Sequence, residues 1–155
     1  MTTCTRHTLR TRHLVAALSL GLFAALAHAQ ATPAGVWKTI DDETKKEKSL
    51  VRISEAGGIY TGTVEKLLSA DAKPNMVCEK CSDDRKDKPV VGLTIIKGVK
   101  QDADDKTRWD GGEILDPNNG KTYKVRLTPT DGGKTLEVRG FIGPFYRNQT
   151  WIRVE

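Results

Sequence analysis

At 155 residues, with 37% hydrophobic and 29% charged side chains, the chain is long enough for one packed domain. Its formal net charge of +5 falls to about +2 once the leader described below is set aside, because Arg6, Arg10 and Arg12 lie there with no acidic residue beside them. The concentrated basic face of a nucleic-acid binder is not supported. All three histidines (His7, His13 and His28) fall in the same leader, so Ser-His-Asp, Cys-His and imidazole-dependent zinc chemistry are excluded from the rest.

The chain opens on a basic n-region, an apolar run over residues 14–26 and the small-residue site Ala27-His28-Ala29. This is the pattern of an export signal, so residues 1–29 are read as a helical signal peptide and residues 30–155 as a single domain starting at Gln30. The apolar run is shorter than the roughly 20 residues a spanning helix needs, and no second run follows. The expected product is soluble, periplasmic or secreted, without a membrane span after cleavage.

The first strand is expected at GVWKTI (35–40), followed by a charged turn over residues 41–48. Strands at 50–54 and 59–68 are joined through Glu55-Ala56-Gly57-Gly58, where paired glycines allow a tight reversal. Residues 69–89 form the longest irregular stretch, with Pro74 and Pro89 as breakers, and hold both cysteines left after cleavage. The β-branched run VVGLTIIKGV (90–99) suits a long strand, and 101–106 a charged turn. Two alternating runs around Asp116-Pro117-Asn118-Asn119-Gly120 make a hairpin over residues 109–127. A turn over 129–133, a strand at 136–142 and a last strand at 150–154 complete the chain.

About eight strands with short turns and no helix after the leader predict an all-β, antiparallel up-and-down barrel, with a two-sheet sandwich as the rival. Gly62, Gly92, Gly112 and Gly140 favour the barrel, since sharp coiling needs positions where a side chain would clash.

Two resemblances rest on these residues. Trp37 on the first strand with Arg153 on the last resembles the lipocalin arrangement, in which a basic residue covers a first-strand tryptophan. The ordered set GVWKT (35–39), CEKC with DRKDKPVVGL (78–93), GGEILDPNNGKTYK (111–124), LEVRGFIG (136–143) and QTWIRVE (149–155) is similar to the bacterial secreted family catalogued as domain of unknown function 2147. The chain departs from that family's pattern at Gly143-Pro144-Phe145-Tyr146-Arg147, which leaves the shape of the last turn open. The resemblance implies a lipocalin-like (calycin-type) barrel in an exported bacterial protein, and it implies no activity.

Among candidate sites, Cys78-Glu79-Lys80-Cys81 is read as a structural disulfide, the natural state of two close cysteines in an oxidising compartment. A thioredoxin-type role and a shared metal site are the alternatives. Asp102-Ala103-Asp104-Asp105 fails the calcium-loop pattern at Lys106 and Thr107, and Arg85-Lys86-Asp87-Lys88 is read as a solvated loop with anion contact as its rival. No metal and no cofactor are expected. The leading expectation is a non-enzymatic barrel that binds a small apolar or amphipathic ligand, with Trp37, Trp109, Tyr123, Tyr146 and Arg153 as candidate binding residues and Phe145 near the rim. An envelope protein-interaction module docking through its surface or disulfide loop is the alternative. A carboxylate enzyme using Asp116, Tyr123 and Arg139 is a third reading, and the sequence does not fix the oligomeric state.

Overall fold

The structure, a computed structural model, describes residue 1, residues 31–73 and residues 75–155. The expected signal peptide, its cleavage site and the breaker Pro74 lie outside these residues. Eight strands follow in order: β1 (Gly35–Ile40), β2 (Glu47–Ala56), β3 (Ile59–Leu67), β4 (Thr94–Gln101), β5 (Trp109–Asp116), β6 (Lys121–Thr130), β7 (Thr135–Ile142) and β8 (Phe145–Arg153). Each pairs antiparallel with its neighbour, and β8 returns to β1 to close an up-and-down barrel. The sandwich is thereby rejected. Among the described residues no helix is long and apolar enough to cross a membrane.

Period-two alternation places the core. On β2, Ser49, Val51 and Ile53 are buried between exposed or half-exposed neighbours, and Leu136 and Val138 do the same on β7. Trp37, Trp109 and Trp151 are the largest fully buried side chains and fill the interior. Two of the strand glycines act as expected. A Cβ on Gly62 would stand 2.9 Å from the Ile96 Cβ, one on Gly112 would collide with the Lys97 carbonyl, and both sit at register shifts. Gly92 is a correction: β4 starts at Thr94, because Val90 is buried beneath the preceding loop and residues 90–93 turn, Gly92 donating to the Val64 carbonyl. The last strand is longer than expected, starting at Phe145, and the turn left open is the two-residue link Gly143–Pro144.

The barrel has two unlike ends. At the closed end Arg153 donates to the carbonyls of Thr32 (2.8 Å), Ala34 (2.7 Å) and Gly133 (2.5 Å) while its guanidinium lies 4.1 Å from the Trp37 ring centre. Trp37 in turn donates its Nε1–H to the Pro33 carbonyl at 2.7 Å. Burial pushes the Arg153 pKa down, but a guanidinium starts so high that it stays charged.

The other end gathers the β1–β2 turn, the long β3–β4 connection, the β5–β6 turn and the β7–β8 turn. Cys78 and Cys81 are joined by a disulfide across a Cα–Cα distance of 5.4 Å, as expected, and both are buried. This loop docks on the β5–β6 turn so closely that a Cβ on Gly120 would overlap the Lys80 carbonyl. Arg85 is another correction to the solvated cluster. Only 5% exposed, it points inward and donates to the Asp83 carboxylate, the Thr94 carbonyl (3.3 Å) and the Thr122 hydroxyl (3.3 Å). It is a strut that ties the loop to β4 and β6, while Lys86, Asp87 and Lys88 remain exposed.

Hydrogen bonds from the Arg85 side chain hold the Asp83 carboxyl at about 2, below its ordinary 3.8. A carboxyl whose pKa is depressed on folding stabilises fully above its unfolded value and loses that contribution as pH falls through the folded one. Amide exchange in residues 83–90 is therefore expected to accelerate between pH 4 and pH 2 beyond the intrinsic rate change, with the barrel strands unaffected. Asp83→Asn should show the fast exchange already at pH 5; equal protection at both pH values in the parent protein would refute the strut.

Closure of the wall is uneven. β7 and β8 pair from Thr135↔Ile152 to Ile142↔Phe145, the full length of β7. β1 and β8 pair only at Trp37↔Arg153 and Lys38↔Ile152, next to the closed end. Toward the other end no further register pair joins the two strands.

Candidate functional site at the barrel mouth

Cross-strand register decides which side chains face inward at the open end. Gly62, Ile96, Ile114 and Tyr123 form one inward row across β3 to β6. Val125, Gly140 and Arg147 form another across β6 to β8, above the row Leu127, Val138 and Gln149 and the pair Leu136 and Trp151. Inward residues are large near the closed end and give way to Gly140 near the mouth. A Cβ on Gly140 would meet nothing nearer than the Tyr123 Cβ at 3.9 Å.

The space left is a cavity of about 190 Å³. Trp151 and Val138 lie at its inner end, Ile114, Tyr123 and Gly140 along one wall, and Thr39 and Ser49 along another. Thr39 and Ser49 bond to each other through their hydroxyls at 2.8 Å. Asn119 donates to the Tyr123 hydroxyl at 3.0 Å and to the Asp116 carboxylate at 3.0 Å, which fixes the phenol against the β5–β6 turn.

A polar chain climbs the part of the wall that β1 and β8 leave unpaired. Trp151 Nε1–H donates to Gln149 Oε1 (3.1 Å), and Gln149 Nε2–H donates to Asp42 Oδ2 (3.4 Å). Arg147 Nε–H donates to the same oxygen at 2.6 Å. Asp42 comes from the turn after β1 and bridges, by side chain, the gap that backbone bonds do not close. Polar groups at one end and apolar walls below can hold one small molecule and orient its polar end.

Of the five candidate binding residues, the structure brings only Tyr123 to this cavity. Trp37 and Arg153 stack at the opposite end. Trp109 is also near that end, edge-on to Tyr60 with ring centres 6.0 Å apart, and its buried Nε1 has no partner among the described residues. Tyr146 faces outward beneath the Arg139 guanidinium, 4.4 Å from its ring centre, and Phe145 is 73% exposed at the rim. Arg139 bonds to Asn148 and Glu137 on the outer surface, so it does not join Asp116 and Tyr123. Sequence reasoning missed Arg147, Gln149, Asp42 and the Thr39–Ser49 pair. One signal could have found the last two: Thr39 and Ser49 are polar residues at inward phases of strands whose other inward residues are apolar.

Residues 35–153 match the family described as an uncharacterized protein conserved in bacteria, DUF2147. Protein HP1028 from the human pathogen Helicobacter pylori, described as belonging to the lipocalin family, has a solved structure similar to this one, with a TM-score of 0.67 and 19% identity over 81% of this chain and 84% of that chain. At that identity the likeness is one of fold. No curated protein matches the chain in sequence.

Proposed function

The chain belongs to the uncharacterised bacterial family DUF2147, and from that premise we propose that it is an exported, non-enzymatic binding protein holding one small amphipathic molecule in the mouth of a lipocalin-like barrel. The observation that carries this reading is the cavity of about 190 Å³ that Gly140 leaves between Tyr123, Val138 and Trp151. Empty apolar cavities of about 150 Å³ take up benzene, so the space suits a ring or a short acyl chain rather than a full-length lipid tail. Affinity comes from apolar burial at about 25 cal/mol per Å², and orientation from the polar groups at the rim. Three pairs of side chains around the cavity, Thr39 with Ser49, Asn119 with Tyr123 and Gln149 with Trp151, are hydrogen-bonded to each other, so the polar part of its lining is held in place before a ligand arrives.

A second reading, docking on an envelope partner, is favoured by the β7–β8 tip and not by the disulfide loop. Ile142, Phe145 and Tyr146 are 56%, 73% and 59% exposed there, whereas both cysteines are buried.

Native mass spectrometry of the protein recovered from its producing cells tests the first reading. The expected spectrum shows a one-to-one adduct of a few hundred daltons or less, on a chain beginning at Gln30. A bare chain that also takes up no added amphiphile would overturn the binding function, and a chain retaining Met1 in the cytoplasm would overturn export.

A further inference from the structure

Resting on the cavity-binding reading, we infer that Arg147 and Gln149 form a carboxylate receptor whose present occupant is the protein's own Asp42, and that the ligand is a small monocarboxylate which takes Asp42's place. Arg147 and Gln149 are both cavity-lining residues, whereas Asp42 is not. The two donors converge on one oxygen, Asp42 Oδ2, at 2.6 and 3.4 Å. Two side chains on alternate residues of one strand, aimed at a single carboxylate oxygen at the lip of an apolar cavity, make a binding geometry for any carboxylate that arrives there.

Asp42 is suited to being displaced. It sits on the turn between β1 and β2, beside the stretch where β1 and β8 have no backbone pairing. The Arg147 side chain is 60% exposed and that of Asp42 22%, and an ion pair with one partner this open to water is weak. Exchange of one carboxylate for another leaves Arg147 paired before and after, so it is a swap and not a loss. The ligand adds what Asp42 lacks, an apolar body that reaches past Gly140 to Val138 and Ile114. Lys48 at the rim adds a second positive charge, while Asp116 across the mouth disfavours a second negative one on the ligand.

Calorimetric titration of the full chain with octanoate and with 1-octanol separates this inference from the reading it rests on. The parent should bind octanoate and octanol within about two-fold of each other, because the ion pair the ligand gains is offset by the one Asp42 gives up. Asp42→Ala, which removes the internal competitor, should strengthen octanoate about five-fold relative to octanol, the worth of one exposed ion pair. In that background Arg147→Gln should return the octanoate-to-octanol ratio to the parent's, and Arg147→Lys should keep part of the gain. An unchanged or lower ratio in Asp42→Ala would refute the receptor while leaving cavity binding intact. If neither probe binds, the cavity reading falls and the inference with it.

Discussion

Gly140→Phe is expected to abolish uptake of any ligand by the mouth cavity and, at the same time, to leave the barrel at least as stable as its parent. Gly140 lies on β7 opposite Val125 and Arg147, and its inward position is open: the nearest atom to a built Cβ is the Tyr123 Cβ at 3.9 Å. A phenyl ring there occupies the volume that a ligand would use. Filling a cavity commonly adds about 0.5–2 kcal/mol of stability, and replacing glycine by an aromatic in a strand adds up to about 1 more. Melting temperature should therefore rise by a few degrees while affinity for octanoate and octanol falls by at least about 100-fold. Opposite signs are what identify a position kept small for a ligand. Unchanged affinity would place binding elsewhere, and a loss of both stability and binding would make Gly140 a packing residue like Gly62 and Gly112.

Arg153→Met should be the most damaging single change at the closed end, costing about 3 kcal/mol in urea unfolding. The methionine keeps an apolar stem over Trp37 but leaves the carbonyls of Thr32, Ala34 and Gly133 without their shared donor. Each buried acceptor stripped of its partner costs about 1–3 kcal/mol, discounted here because the chain ends admit some water. Arg153→Lys should recover less than half, since one ammonium cannot reach three carbonyls and stack on an indole together. Glu47→Gln, which breaks the exposed Lys38–Glu47 pair at 2.5 Å, serves as the control and should change stability by under about 1 kcal/mol. A loss below 1 kcal/mol for Arg153→Met would mean that the closed end is held by strand pairing alone.

The closed end and the hairpins were legible because local chemistry dictates them. The turn at residues 116–120 is written in Pro117, Asn118, Asn119 and Gly120, and the alternation of Val51 and Ile53 or Leu136 and Val138 is the signature of a one-sided strand. The mouth was hidden for the reason that makes it a candidate site. On β8 the inward residues Arg147 and Gln149 are polar like their outward neighbours Asn148 and Thr150, so alternation vanishes and the strand appears to begin only at Thr150. Asp42 belongs to a charged turn that looks wholly solvated, and its partner lies 105 residues away. Arg85 was obscured in the same way, since nothing in a run of Arg, Lys and Asp marks which member turns inward.

The short seam between β1 and β8 also bears on how the polypeptide folds. Closure joins the first strand to the last, so until Phe145–Arg153 docks on Gly35–Ile40 the sheet has bare edges. Such edges are templates for pairing with other chains, and the distant contact that removes them is slow to form. The two register pairs at Trp37 and Lys38, with the Arg153 clamp beside them, are therefore what removes those templates.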